Sequence, residues 1–205
     1  MFKYIVSQFF LFLMDILETV AFVGSIYLII HFYVFTPHRI QGQSMYPTFN
    51  DGENIITSKI HYKVFNIRRG DVVVFTRMDK PEHDMLIKRV IGLPGDEILI
   101  EDGEVYLNGK KLIEPYIDSY TNIDGSGAVI EGVPYKVPAN SVFVMGDNRL
   151  NSQDSRVFGA ININTIEGKV VFRYFPLDKI GVVKNDFPQD LQTYIYSNRL
   201  QLFTC

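Results

Sequence analysis

Asp84-Met85-Leu86-Ile87-Lys88-Arg89-Val90-Ile91 is an apolar stretch interrupted by two adjacent cations. Read as a strand, it puts Lys88 on one face with Leu86 and Val90, and Arg89 on the other with Ile87 and Ile91. One of the two cations must then point toward apolar surroundings. Upstream, Gly70 turns the chain into the β-branched run Asp71-Val72-Val73-Val74-Phe75. Downstream, Glu97–Ile100 and Val105–Leu107 read as strands, with Glu101-Asp102-Gly103 and Asn108-Gly109 as turns. Ser141–Met145 and Lys169–Phe175 are further strand candidates. Short strands, Gly-rich turns and little helical periodicity predict a mainly β, mostly antiparallel domain. The polar stretch Asp118–Gly132, with Asp124-Gly125-Ser126-Gly127, reads as a loop or mobile edge.

The amino-terminal region has a different solvent in view. Its first 36 residues carry three charged side chains, Lys3, Asp15 and Glu18. Thr19 to Phe35 reads TVAFVGSIYLIIHFYVF, apolar on every side, and with a few preceding residues it approaches the ~20 that cross a bilayer. Asp15 and Glu18 belong at an interface, since either costs ~2.5–3.5 kcal/mol at mid-bilayer. The expected span is therefore about 16–35, with 4–14 on the membrane surface or inside a partner. Thr36-Pro37-His38-Arg39 lacks a small-residue cleavage site, so the segment reads as an uncleaved anchor. The flanking charges do not decide its orientation.

Composition excludes several functions. Twenty basic against 23 acidic residues give a net charge of −3, with no basic face for nucleic acid. The densest basic stretch, Arg68 and Arg69 after Lys63, reads as a solvated turn. The lone cysteine, Cys205, permits no internal disulfide. His31, His38, His61 and His83 lack metal-ligand spacing, so no metal and no cofactor are expected.

For chemistry, Ser44 stands in Ile40-Gln41-Gly42-Gln43-Ser44-Met45-Tyr46-Pro47-Thr48. Gly42 permits close backbone approach and Pro47 stiffens the chain, so amides there could hold an oxyanion. A buried Lys88 would lose the water that stabilises its charge, and its neutral amine could accept a serine proton. Arg89 cannot, because guanidinium stays protonated. The alternative is that Lys88 reaches solvent and pairs with Asp84. In the polar segment Gly146–Gly159, Ser152 could orient a lysine amine, while Asp154 and Arg156 could pair and stiffen the loop.

SMYPT at 44–48, GDVVVF at 70–75, IKRVIGLPGD at 87–96 and GDNRLNSQDSRVFG at 146–159 occur in the order seen in type I signal peptidases. The chain resembles that family from about residue 19 to 175. The resemblance implies Ser44 as nucleophile, Lys88 as general base and the Ser44 N–H as an oxyanion donor. Some members carry a serine two positions earlier; here Gly42 stands in its place, leaving the second donor to backbone or water. Ser152 matches the serine that orients the lysine, Asp154 and Arg156 the supporting pair, and Gly146 the close-packed glycine. Ile40, Met45 and Leu86 are expected to line a shallow substrate pocket suited to small side chains.

The implied fold is two antiparallel β-sheets with a small β cap, preceded by one N-terminal transmembrane helix. The anchor would occupy 1–36 and the catalytic domain 37–205. Within the latter, the core would take about 37–95 and 144–184 and the cap 96–143. The role of 186–205 stays open, though Leu191, Tyr194, Ile195, Leu200 and Phe203 suit a packed helix. Implied partners are preprotein signal peptides, the lipid bilayer and the secretion machinery. The implied location is the plasma membrane, single-pass, with the catalytic domain outside the cytoplasm. Three rivals are an organelle-type inner-membrane processing peptidase, a self-cleaving repressor-type Ser/Lys peptidase, and an inactive membrane-tethered domain that binds exported peptides. The repressor type would need a DNA-binding module and a cleavable linker, where this chain has an apolar anchor.

Overall fold

The computed structural model describes residues 2–59, 67–77, 84–123 and 125–191. His61, Lys63, His83, Asp124, Cys205 and the stretch 192–205 lie outside the described residues, as does the side chain of His31.

Helix α1 runs unbroken from Phe2 to Tyr33, about 48 Å at 1.5 Å per residue. Its most apolar stretch is Ser7–Leu28, none of it buried against the rest of the chain. Phe10 and Phe22 are 61 % and 66 % exposed, an apolar surface compatible with a membrane anchor. Residues 4–14 are thus continuous with the expected span. No proline interrupts them, and neither Asp15 nor Glu18 breaks a helix at its own position. Phe35 falls outside the helix and opens the first strand.

Eight strands form the large sheet. They are β1 (Phe35–Arg39), β2 (Asn54–Ser58), β3 (Val72–Thr76), β4 (Met85–Gly92), β9 (Ser141–Met145), β10 (Ile161–Asn162), β11 (Ile166–Phe175) and β12 (Gly181–Val182). Their order is β1-β2-β11-β3-β4-β9-β10, with β12 also on β11. A second sheet has the order β7-β6-β5-β8, from β5 (Glu97–Glu101), β6 (Glu104–Leu107), β7 (Lys110–Lys111) and β8 (Tyr135–Lys136). Every pairing is antiparallel. A short helix, α2, covers Ser155–Phe158.

Local chemistry explains the hairpins. Asp102-Gly103 and Asn108-Gly109 have φ of 51°, 79°, 52° and 77°, the left-handed pair that tight hairpins require. β3 is central, and its residues Val72 to Phe75 are all buried. The small sheet has no core of its own. Ile98, Ile100, Val105 and Leu107 pack with Ile91, Phe143 and Met145 of the large sheet and with Phe187. β9 belongs to the large sheet over its full length.

Arg69 departs from its expectation as a solvated residue. It is 6 % exposed and holds Asp96 through Nε at 3.0 Å and Nη2 at 2.7 Å. Asp96 also accepts the Leu93 N–H at 2.6 Å, so the pair fixes the turn from β4 to β5. Leu191 packs on the core containing Phe187, and its carbonyl accepts a bond from Arg69 at 2.5 Å.

Candidate active site

Both cations of β4 are buried, Lys88 at 2 % and Arg89 at 1 % exposure. Alternation sends them to opposite faces, and the fold covers both. Lys88 Nζ donates to Ser44 Oγ at 2.7 Å and to the Ile87 carbonyl at 2.9 Å. It therefore does not snorkel to solvent. Arg89 grips Asp147 from Nε at 2.8 Å and Nη2 at 2.6 Å and donates to the Gly70 carbonyl. The sequence shows why a partner is needed: a guanidinium inside an apolar strand needs a buried acid, or it carries a desolvation cost of several kcal/mol.

Burial pushes the Lys88 amine down from the ordinary lysine value to about 8. Asp154 and then Asp147 pull it back up, and Arg156 pushes it further down. An amine near 8 is neutral in a useful fraction at mildly alkaline pH, and can then accept a proton along the line it shares with Ser44 Oγ.

Ser44 is held by its carbonyl. The Asn148 N–H donates to it at 3.0 Å, and Asn148 Nδ2 donates to the Gln43 carbonyl at 3.1 Å. Thr48 Oγ1 donates to Asp147 at 2.5 Å, tying the serine loop to the ion pair of β4. The Ser44 N–H has no hydrogen-bond partner among the described residues. The Gly42 N–H is different: Asp51 Oδ1 accepts it at 2.7 Å.

Gly146 fits because it has no side chain. A Cβ there would stand 2.2 Å from Ser152 Oγ and 2.5 Å from the Ser44 carbonyl oxygen. Its N–H donates to Asp154 Oδ2 at 2.9 Å. Asp154 in turn caps α2 and pairs with Arg156 through both carboxylate oxygens. Ser152 sits against Gly146 rather than bonding to Lys88. Its Oγ is buried with no hydrogen-bond partner.

Of the expected pocket residues, Ile40 and Met45 share one buried cluster with Phe49, Ile55, Val72, Val74 and Val170, and Ile87 packs against it. Leu86 packs against the neighbouring cluster, which contains Val73, Phe75, Val90 and Val144. The sequence reading missed Thr48, Asp51, Asp147, Asn148 and Ile87. The unmet charge of Arg89 was the available sign for Asp147. For the hydrogen-bond partners in loops, spacing carries no such sign.

A serine hydroxyl bonded to a desolvated amine is the arrangement that a serine hydrolase with a lysine base would require. The family model described as signal peptidase, peptidase S26, matches residues 13–175. Among relatives, a signal peptidase I of Bacillus caldolyticus is 44 % identical over 156 residues, covering 73 % of this chain and 84 % of that protein. Signal peptidase I T of Bacillus subtilis (strain 168) is 38 % identical over 161 residues, covering 77 % and 82 %. Signal peptidase IB of Staphylococcus aureus (strain N315) is 37 % identical over 179 residues, covering 82 % and 92 %. A solved signal peptidase I from Enterococcus faecalis V583 is 30 % identical with a TM-score of 0.41, covering 49 % of this chain and 93 % of that one. The chain belongs to the S26 family of signal peptidases, and it is a serine endopeptidase.

Proposed function

We propose that this chain removes N-terminal signal peptides from exported preproteins, cutting after small-x-small sites, with Ser44 as nucleophile and Lys88 as general base. The observation that carries the reading is the 2.7 Å contact between Ser44 Oγ and a lysine amine buried to 2 % exposure. Neutral Lys88 takes the hydroxyl proton as Ser44 Oγ attacks the scissile carbonyl carbon. The Ser44 N–H holds the resulting oxyanion. The carbon–nitrogen bond then breaks, and the new amino terminus of the mature protein leaves with the proton from Lys88. Water, deprotonated by the same amine, hydrolyses the acyl ester and restores Ser44.

Gly146, Asp154 and Arg156 support this pair, and Gly42 leaves the approach to Ser44 free of a side chain. Ser152, buried and unpartnered, is assigned to receive a bond from the neutral Lys88 amine once Ser44 is acylated. Ile40, Met45 and Leu86 are assigned to the apolar wall of the pocket, where shallow depth favours alanine-like side chains. Helix α1 is assigned as a single membrane crossing of the plasma membrane, with the catalytic domain outside the cytoplasm. Confining enzyme and substrate to one surface raises their effective concentration.

The test is cleavage of a preprotein bearing an A-x-A site by the detergent-solubilised chain, beside Ser44→Ala and Lys88→Met. The wild type cuts and both variants are silent while folded. A wild-type chain that holds the signal peptide without cutting it would instead be a binding domain, and cleavage by Lys88→Met would sink the mechanism.

A further inference from the structure

Gly146, where a Cβ would stand 2.5 Å from the Ser44 carbonyl oxygen, is gripped at both ends of its backbone. Asp154 takes its N–H, and Arg149 Nε donates to its carbonyl at 3.0 Å. The Arg149 side chain is wholly buried, so it can serve a single carbonyl only if its charge is answered nearby. The answer comes from the irregular segment after β7. Glu114 accepts from Arg149 Nη1 at 2.7 Å and pairs with Nη2, while Thr121 Oγ1 accepts from Nη1 at 2.6 Å.

The same segment reaches the other buried arginine. Tyr116 donates its hydroxyl to Glu114 Oε1 at 2.7 Å, and its ring lies 4.0 Å from the Arg89 guanidinium. Arg89 adjoins Lys88 on β4, and Arg149 lies on the loop that packs on Ser44. Glu114 and Tyr116 thus connect the supports of base and nucleophile, although neither touches a reacting atom.

We propose that Glu114, with Tyr116 two residues on, is a positioning residue for catalysis, acting through Arg149 and Arg89 to hold Gly146 and hence Ser44 in register with Lys88. The inference rests on Ser44 and Lys88 being the reacting pair. Without the carboxylate, Arg149 turns toward another acid or solvent, the Gly146 carbonyl loses its donor, and the loop shifts against Ser44. A small displacement there lowers turnover more than binding, because the reacting atoms must meet within narrow limits.

The experiment measures kcat and KM of the detergent-solubilised full chain on a synthetic peptide with a small-x-small site, normalised to the folded fraction from thermal unfolding. Glu114→Gln should lower kcat per folded molecule tenfold or more, with KM within twofold of wild type. Adding Arg149→Met removes the stranded cation and so secures folding, yet the double variant should remain as slow. Recovery of kcat to within twofold of wild type in either variant overturns the inference, as does a loss carried by KM alone. Ser44→Ala is run beside them. If it cleaves, the reacting pair itself is wrong; if it is silent while Glu114→Gln is fully active, only the positioning role falls.

Discussion

Asp154 and Arg156 stand two residues apart yet form a two-point ion pair, Nε to Oδ1 at 2.8 Å and Nη2 to Oδ2 at 2.9 Å. The same carboxylate accepts the N–H groups of Arg156 and Gly146. It is also the strongest of the charges that raise the Lys88 amine. One side chain therefore shapes the loop and tunes the Lys88 amine. Asp154→Asn should destabilise the domain by about 3–5 kcal/mol, because Arg156 is left buried without its partner. In the fraction that folds, the pH midpoint of kcat/KM should move down, since a raising charge has gone. Chemical unfolding and a pH–rate profile check the two effects separately, and an upward shift of the midpoint contradicts the assignment.

The pH dependence of the wild type follows from the same amine. Lys88 acts as a base only when neutral, and its folded value is about 8. We expect kcat/KM to rise about tenfold per pH unit below that value and to level off above it. Steady-state kinetics from pH 6 to 10 on a substrate without titrating groups check this. A flat profile is incompatible with Lys88 as the base.

Lys88→Met separates stability from activity. The folded amine titrates below its unfolded value of ~10.4, so between the two values the unfolded chain binds more protons and stability rises with pH. Below pH 8 the protonated unfolded state holds its full advantage, about 3 kcal/mol. Replacing Lys88 with an apolar side chain of similar length removes that cost. The variant should be inactive and melt higher than wild type at pH 7, the gap closing toward pH 10. Thermal melts at the two pH values decide it, and a lower melting temperature at pH 7 counts against a desolvated lysine.

Gly146→Ala introduces a methyl group 2.2 Å from Ser152 Oγ and 2.5 Å from the Ser44 carbonyl oxygen. Overpacking of this kind costs about 1–3 kcal/mol, and here the group that must give way belongs to Ser44, the proposed nucleophile. Turnover should fall at least tenfold. Trimming Ser152 to glycine in the same chain relieves only the first clash, so activity should stay low. Restoration of wild-type kcat by that second change would show that Ser44 is not displaced.

Much of this arrangement was legible in the sequence, where one residue imposes a demand that its neighbours cannot meet. Lys88 and Arg89 on opposite faces of β4 announced one cation turned toward apolar surroundings; the fold buries both. Asp102-Gly103 and Asn108-Gly109 announced hairpins because few other residues tolerate their backbone angles. β1 and β2 were missed for different reasons. β1, whose first two residues fell in the expected anchor, contains a proline and alternates exposed with half-buried residues as an edge strand does. β2 is short and begins with a polar residue. Contacts such as Thr48–Asp147 and Glu114–Arg149 join positions 99 and 35 residues apart. No local pattern encodes them, since only the folded sheets bring them together.

Helix α1 ends at Tyr33 and β1 begins at Phe35, so a single residue, Val34, joins them. Its carbonyl is already engaged by the Lys59 N–H at 2.9 Å. The join is thus a stem rather than a leash. With the helix held in a bilayer, the sheet cannot drift outward to meet a substrate, and Ser44 stays within about 40 Å of the helix end even at full extension. With Ser44 and helix α1 in their proposed roles, the bond that is cut would be chosen partly by altitude: a cleavage site would have to rise to the height of Ser44, whatever side chains it offers.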